Sequence, residues 1–430
     1  MLEFSKYNNR FLYFSSFLVF LIPFAQVTGP FLTDLIISTA ALMYIFFILI
    51  SNKELHENNK FLNILIVFWL YILITSLISE YRFLSLKPSL TFIRFIIFSF
   101  LVIYLIKNNK YYFSNFNIYL IIVLFIVVFD GYIQFAFGKN ILGFEKVRPD
   151  RLSGFFRDEL ILGSFLGKFL PIILFLYYEN RHNKNLKIFN TIIIFTMIPL
   201  IFLSGERSAF FLSLLFILLV LPIILSIKKF LLFTTIFSIT AVVILNFSPT
   251  IHDRYVNQLK DHIVLEKNGG KLYFPEHIGL FNSSYNNFLN NKLIGSGVKS
   301  FRETCKLNNS LYKSKITNIK SNVDFCSTHP HNYYLQFLSE TGLIGFLLLF
   351  FIFIYCVIKY AKVFIISIFY KKNNKQIIKK YTILLSGLLM HLWPITTTGN
   401  FFNNWNSSFI FLNLSLFLYF NEKFISDFKK

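Results

Sequence analysis

The chain has 430 residues, of which 55% are hydrophobic and 20% aromatic, and only 15% are charged. A soluble protein could not hide this much apolar surface, and several apolar runs reach the roughly 20 residues that cross a bilayer. The net charge is +21, but the basic residues are scattered between the apolar runs, which is typical of membrane orientation and not of a nucleic-acid site. We therefore expect an all-α polytopic membrane protein. The apolar runs are continuous, which argues against a transmembrane barrel.

The apolar runs, taken in chain order, predict about twelve transmembrane helices. The predicted spans are 11–28, 31–50, 61–79, 89–106, 116–137, 159–178, 187–203, 208–227, 229–247, 342–366, 379–397 and 406–421. The first run lacks a small-residue cleavage site, so we expect it to be a span and not a signal peptide. A long polar segment separates the ninth span from the tenth. It divides the chain into a nine-helix transmembrane region at 1–247, a loop domain at 248–341, and a three-helix transmembrane region with a cytoplasmic tail at 342–430.

The distribution of lysine and arginine predicts that both termini are cytoplasmic. Alternate short loops are rich in basic residues. On the opposite side, Arg207 is the only basic residue of the short loops 28–31, 204–207 and 397–405. This is the positive-inside pattern, and it leaves the loop domain on the exterior face. Two other exterior segments, 81–88 and 138–158, are also basic. An anionic ligand on that side would explain the five basic residues of the second segment.

Exterior arginines form the first candidate site. Arg207 lies in the tight turn 204–208 at the start of a span, where unpaired N–H groups and a bidentate guanidinium suit a phosphate. The alternative is an arginine that pairs with Glu206 or snorkels to lipid headgroups. Three further arginines precede the sixth span: Arg148, Arg151 and Arg157. They either anchor the chain to anionic lipid heads or bind a lipid-linked pyrophosphate.

Histidines form the second candidate site. His329 and His331 close the long polar loop just before it re-enters the membrane, and imidazole is the side chain best suited to move protons near neutral pH. Asn332 is placed to orient an imidazole, and Glu340 lies at the predicted loop-to-helix junction. Solvated side chains are the alternative. Metal binding is not favoured, because no carboxylate stands at ligand spacing beside the two histidines.

Two further features complete the candidate residues. His391 lies near the outer end of the eleventh span, and it is either functional, as intramembrane ionisable groups usually are, or a satisfied buried histidine. Cys305 and Cys326 are the only cysteines outside the predicted spans. Because both lie in the exterior loop, we expect a disulfide, with two unpaired thiols as the alternative.

Four motifs resemble those of the O-antigen ligase and polymerase superfamily of bacterial envelope glycosyltransferases. The most specific is 331–345, His-Asn-Tyr-Tyr-Leu-Gln-Phe-Leu-Ser-Glu-Thr-Gly-Leu-Ile-Gly, which is similar to the family's His-Asn…Leu…Glu-x-Gly-x-x-Gly signature. The segment 291–297 is similar to its Asn-Pro-Leu-Ile-Gly-x-Gly turn, with Lys292 in place of proline. The turn 204–208 is similar to its Ser-x-Ser-Arg turn, and 151–154 to its Arg-x-x-Gly segment.

The resemblance implies a metal-independent glycosyltransferase of the bacterial inner membrane that needs no cofactor. It would move a glycan from undecaprenyl pyrophosphate to lipid A–core, with the active site facing the periplasm. His331 would be the catalytic base, and Arg207 would bind the pyrophosphate. Expected partners are the lipid-linked glycan, the lipid A–core or glycan acceptor, and membrane lipids, but no nucleic acid.

Related functions stay open at this point. A polysaccharide polymerase and a protein O-oligosaccharyltransferase share the same chemistry and differ only in the acceptor. A transporter is less favoured, because the predicted spans hold few charges (Arg94, Asp130, Lys168) and show no internal repeat.

One position departs from the family pattern. The family has an arginine about fifteen residues before its Leu-Ile-Gly turn and an aromatic residue shortly after that arginine, and the corresponding residues here are His277 and Phe281. Either His277 takes the place of that arginine, or Arg254 or Arg302 supplies the charge. The expected substrate-binding residues are therefore Arg148, Arg151, Arg157, His277, Arg302, Asn332, Glu340 and His391.

Overall fold

The computed structural model describes residues 2–51, 60–260, 275–307, 326–369 and 375–428, and these are mostly helical, with no strand among them. The helices are α1 (Leu2–Phe20), α2 (Ile22–Thr28), α3 (Pro30–Ser51), α4 (Lys60–Ile78), α5 (Arg82–Asn108), α6 (Tyr112–Phe137), α7 (Leu162–Glu179), α8 (Lys184–Leu203), α9 (Arg207–Ile224), α10 (Ile227–Phe247), α11 (Pro249–His252), α12 (Pro275–Asn290), α13 (Tyr333–Phe369), α14 (Lys375–His391) and α15 (Asn404–Phe428). Of the predicted loop domain, 261–274 and 308–325 lie outside the described residues.

Nine helical stretches in the described ranges are long and apolar enough to cross a membrane. They correspond to the predicted spans one, two and four to ten. The other three predicted spans also form helices, α4, α14 and α15, and the apolar part of α4 is the shorter stretch Asn63–Ile78. The all-helical, multi-pass class is confirmed, whereas the count of about twelve spans stays a prediction.

Several helix ends differ from the predicted ones. α5 begins at Arg82, so the predicted exterior segment 81–88 is largely helical, and Pro88 lies inside the helix. Hydropathy misses this part of the helix because Arg82, Ser85 and Lys87 lower its mean value. A membrane bundle tolerates a proline such as Pro88 inside a helix. α14 ends at His391, so the predicted span 379–397 is too long at this end: Pro394 lies after the helix, because the residue before a proline avoids helical geometry.

The tenth predicted span also starts earlier than expected. α13 begins at Tyr333, and its helical geometry is interrupted at Gly342, which has a φ of 66°. The turn 291–297 packs on this break: the Leu343 amide donates to the Lys292 carbonyl at 2.8 Å, and a Cβ at Gly342 would lie 2.3 Å from the Leu293 oxygen. Only glycine allows this backbone contact with a positive φ. The two glycine-containing motifs are therefore the two sides of one contact.

A single hydrophobic cluster extends from Phe11 near the N-terminus to Phe424 near the C-terminus. α14 packs against α7 and α9, and α15 packs against α3 and α5. Helices of both predicted transmembrane regions thus share one core, and most of α7 is buried within it. This arrangement brings the start of α7, the start of α9 and the end of α14 to one side of the bundle.

Candidate functional site

A cavity of about 2040 Å³ opens among α2, α6, α7, α9 and the ends of α14 and α15. It collects most of the residues that the sequence singles out. The predicted residues that line it are Arg148, Arg151, Arg157, Arg207, His277, His329, His331 and His391. Arg302, Asn332 and Glu340 do not line it.

The turn before α9 joins two of the arginine segments. Gly205 has a φ of 71°, and a Cβ there would lie 2.2 Å from the carbonyl oxygen of Asp150. The Leu152 amide donates to the Ser204 carbonyl at 3.1 Å. The turn 204–207 therefore rests directly on the chain at 150–152, which a side chain at Gly205 would prevent. Arg151 and Arg207 face one cavity as a result.

Arg207 is oriented by uncharged acceptors. Its Nε and Nη2 donate to the carbonyl oxygen of Arg254 at 3.1 and 2.7 Å, and Nη2 also donates to Gln258 Oε1 at 3.0 Å. Arg254 in turn donates from Nε to the Gly205 carbonyl at 3.0 Å. Arg207 therefore does not pair with Glu206. Of the alternatives to His277, Arg254 lines the cavity beside Arg207, and Arg302 is exposed outside it.

Asp150 neutralises part of the basic cluster. It pairs with Arg148 at 3.2 Å and with Arg254 at 3.4 Å. The pKa of its carboxyl is lowered: burial acts in the opposite direction, but the hydrogen bond from Gln258 and the charges of Arg148 and Arg254 outweigh burial. Asp150 is therefore a fixed negative charge at neutral pH.

Glu206 is the second carboxylate of this cluster and is almost fully buried. Its Oε2 accepts hydrogen bonds from the backbone N–H and the hydroxyl of Ser164 at 2.7 and 2.6 Å, and its Oε1 lies 3.6 Å from Arg151 Nη2. Burial raises the pKa of Glu206, and these partners oppose the shift. Glu206 thus joins the start of α7 to the start of α9.

The charges that line the cavity do not balance. Six basic residues and two carboxylates, Glu159 and Glu206, line it; the basic residues are Arg148, Arg151, Arg157, Lys168, Arg207 and Arg254. Three of these, Arg148, Arg151 and Arg254, form ion pairs with Asp150 or Glu206. Among the described residues, the other three contact no carboxylate: Arg157 lies over the Phe144 ring, Arg207 is bonded to neutral groups, and Lys168 is bonded to Asn406. An anion would compensate this excess positive charge.

The histidine segment lies against another part of the cavity. His331 has a φ of 55°, and its carbonyl accepts a hydrogen bond from the Thr398 amide at 2.8 Å. Its ring centroid lies 4.1 Å from that of His329 and 5.9 Å from that of His277. A left-handed backbone is costly for a residue other than glycine and is typical of functional sites. Arg157, the other such residue at the cavity, has a φ of 54°.

Burial keeps these imidazoles neutral. It lowers the pKa of His331, with a further contribution from the charge of His277, and it lowers the pKa of His329 to about 3. A neutral imidazole at neutral pH can accept a proton. Within the described ranges, no three His, Cys, Asp or Glu side chains come together as metal ligands would.

Asn332 and Glu340 bond to other parts of the protein, and Asn332 bonds to main-chain groups in place of the expected imidazole. Asn332 Nδ2 donates to the Pro394 carbonyl at 2.8 Å, and its Oδ1 accepts from the Tyr334 amide at 2.9 Å at the start of α13. Glu340 is fully buried, and its Oε2 accepts from Gln336 Nε2 at 3.0 Å. Because neither residue lines the cavity, the geometry gives them a positioning role in place of the expected substrate contact.

Cys305 and Cys326 are bonded, with their Sγ atoms 2.07 Å apart. They form a small buried cluster with Phe301 and with Leu280 of α12. Leu280 follows His277 by three residues, so it lies one turn further along the same helix. The disulfide therefore ties the start of the histidine segment to the helix that carries His277.

Sequence reasoning missed part of the cavity wall. Lys168 was noted only as an intramembrane charge, which is itself a signal of a functional residue. Trp405 and Asn406 were not singled out, and nothing local in the sequence distinguishes them. Apolar side chains from α2, α6 and α9 complete the wall: Phe24, Val27, Val123, Ile126, Val127, Phe211 and Leu212.

Residues 192–350 match the family model described as O-antigen ligase. The matched region runs from within α8 into α13. It contains Arg207, His277 and His331, but not the segment 148–157 or Lys168. Among curated proteins no match was found.

Proposed function

Since this chain belongs to the O-antigen ligase superfamily, as the match at residues 192–350 shows, we propose that it transfers a glycan from undecaprenyl pyrophosphate to lipid A–core. The reaction takes place at the periplasmic face of the bacterial inner membrane. The observation that carries this proposal is the make-up of one cavity, which combines an apolar wall, uncompensated positive charges and a neutral histidine. These are the groups that a polyprenyl tail, a pyrophosphate and an acceptor hydroxyl require, respectively.

The apolar wall accounts for the lipid part of the donor. Phe24 of α2 is 52% exposed, Ile126 of α6 is 46% exposed and Phe211 of α9 is 44% exposed, although all three line the cavity. Apolar side chains that face both the cavity and the outside of a membrane bundle allow a lipid tail to extend from the cavity into the bilayer. The tail gains no large apolar burial by this, so the headgroup must supply most of the specificity.

The reaction needs charge stabilisation and one proton acceptor. The acceptor hydroxyl oxygen bonds to the anomeric carbon of the glycan while the bond from that carbon to the pyrophosphate oxygen breaks. Undecaprenyl pyrophosphate leaves with the bonding electrons, and Arg207 stabilises the developing negative charge. His331 takes the hydroxyl proton. The leaving group is already a pyrophosphate, so no nucleotide is needed.

An acceptor assay tests the proposal. Purified full-length protein is incubated with a lipid-linked glycan and lipid A–core, and the product is identified by mass, with His331→Ala as the inactive control. A glycan on lipid A–core supports the proposed ligase. A lengthened lipid-linked glycan would make the chain a polymerase, and a glycosylated protein acceptor would make it an oligosaccharyltransferase. Failure to consume the donor with any acceptor overturns glycosyl transfer.

The orientation has its own test. Asn257 is exposed, and the free cysteine among the described residues, Cys356, is buried, so a single new thiol can be labelled selectively. Asn257→Cys should react with an impermeant reagent added outside intact cells. The matched control is His182→Cys, in a loop predicted to be cytoplasmic, which should react only after lysis. The reverse result would put the cavity on the cytoplasmic side of the membrane and contradict the proposed orientation. Asn309, a second predicted exterior position, lies outside the described residues.

A further inference from the structure

Lys168 lies on the face of α7 that bears the arginine cluster. Ser164, four residues earlier, contacts Glu206 through its backbone N–H and its hydroxyl. Residues four apart share one face of a helix and are separated by about 6 Å along its axis. Lys168 therefore lines the same cavity as Arg207, one turn further along α7 and so deeper in the bundle.

The charge of Lys168 is held by neutral groups. Its Nζ donates to Asn406 Oδ1 and lies 4.1 Å from the centroid of the Trp405 ring. Glu206 attracts this charge from a longer distance, but no described carboxylate forms an ion pair with Lys168. An ionisable side chain within an apolar helix is costly, and one that faces a cavity marks a functional site by default.

His391 points to the same ligand position. This residue is 5% exposed and lines the cavity, and its Nε2 has no hydrogen-bond partner among the described residues. The charge of Lys168 is close enough to act on the His391 ring electrostatically. A buried imidazole nitrogen without a partner is costly, and a polar ligand atom between His391 and Lys168 would satisfy both groups.

We propose that Lys168, assisted by His391, binds the phosphate of the donor that is attached to the lipid, while Arg207 binds the phosphate that is attached to the glycan. This inference rests on the proposed function. The order follows from depth: the lipid tail extends into the bilayer, so the deeper charge meets the phosphate attached to the lipid, and the charge at the turn before α9 meets the phosphate attached to the glycan. When the glycan leaves, negative charge spreads over both phosphates, and two separate positive charges stabilise it.

The test uses farnesyl phosphate and farnesyl diphosphate as probes, with full-length protein in lipid nanodiscs. The wild type should bind the diphosphate more tightly than the monophosphate. Lys168→Gln should weaken the binding of both probes by about 10-fold, the cost of one charge-assisted hydrogen bond. Arg207→Gln should weaken only the diphosphate. The control is Lys139→Gln, which removes an exposed positive charge outside the cavity lining and should change neither affinity.

Four outcomes decide against the inference or its premise. If Lys168→Gln leaves both affinities unchanged, or weakens only the binding of the diphosphate, Lys168 does not bind the phosphate attached to the lipid. Asn406→Ala keeps the charge of Lys168 but removes its hydrogen-bond acceptor. If this variant reproduces the losses of Lys168→Gln, Lys168 acts structurally and the inference is overturned. If phosphatidylglycerol competes as well as farnesyl phosphate, the ligand is a lipid headgroup, which also overturns it. No binding of farnesyl diphosphate by the wild type contradicts the proposed function itself.

Discussion

The two ends of the cavity hold their polar groups in different ways. At the arginine end, the guanidinium groups of Arg207 and Arg254 donate to backbone carbonyls and to Gln258, and the turns that carry them pack backbone against backbone. At the histidine end, the ring of His331 contacts other imidazoles and makes one long contact, 3.5 Å, to the Ser327 hydroxyl. The main chain around His331 is what is held.

This difference matches what each end has to do. A guanidinium that binds a phosphate must be held in one position. Hydrogen bonds from its N–H groups to neutral protein acceptors hold it there and leave its positive charge uncompensated. A general base must keep a lone pair available for a proton, so its ring cannot be committed to strong partners. The protein therefore fixes the side chains at one end and the backbone at the other.

The largest expected effect is at the histidine end. His331→Ala should reduce turnover by about 100- to 10,000-fold, because it removes the proposed proton acceptor. Donor binding should change little, since the arginine end is intact. Turnover and donor affinity are measured separately at matched expression.

His329→Ala is the matched control for this prediction, because His329 lines the same cavity two residues earlier but is not aligned with the His-Asn motif. His329→Ala should reduce turnover much less than His331→Ala does. Near-normal turnover by His331→Ala would remove the proposed base, and a loss confined to His329→Ala would move the role to that residue.

The next largest effect tests the fixed geometry of the arginine end. Arg207→Lys keeps the charge but loses the planar fork, so we expect donor binding and turnover to fall together by about 10- to 100-fold. The control is Arg302→Lys, which changes an exposed arginine outside the cavity lining and should behave like the wild type. A fully active Arg207→Lys enzyme would show that a point charge suffices and would favour the headgroup-anchor interpretation.

The disulfide should matter to one end only. Replacing Cys305 and Cys326 by serine should lower the stability of the loop by about 3 kcal/mol in the chain-entropy model. We expect faster limited proteolysis around the histidine segment and reduced turnover, with donor binding preserved. Non-reducing peptide mapping of the wild type should find the two cysteines linked. Equal losses of donor binding and turnover would mean that the two ends are not independent.

The smallest effect concerns pH. His331 must be neutral to act as a base, and burial together with His277 lowers its pKa below the usual value of about 6.5. Activity should therefore persist below pH 6.5 and fall only at lower pH. Removing the charge of His277 in His277→Gln should shift the acidic limb of kcat/KM upward. A limb that does not move, or moves downward, would contradict the proposed coupling of the two rings.

Local sequence was sufficient for the helical class and for the ingredients of the site. Apolar runs of span length predicted the helices, because each is a property of consecutive residues. The turn 204–208 and the segment 331–345 were also recognised locally, and their Arg207 and His331 do line one cavity. Arg302 is a candidate only as a possible replacement for the arginine of the family pattern, and nothing in the sequence reveals that it lies outside the cavity lining.

Only the tertiary structure decided which of these residues meet. Arg207 bonds to a carbonyl 47 residues away, and Lys168 bonds to Asn406, which is 238 residues away. Such contacts depend on how α7, α9, α14 and α15 pack, and in a membrane, where every helix is apolar, hydropathy does not distinguish one packing from another. The sequence by itself determined a multi-pass helical protein with a basic turn and a histidine segment. Packing decided that three positive charges are left uncompensated beside a neutral imidazole, because ion pairing and burial are properties of neighbours in space.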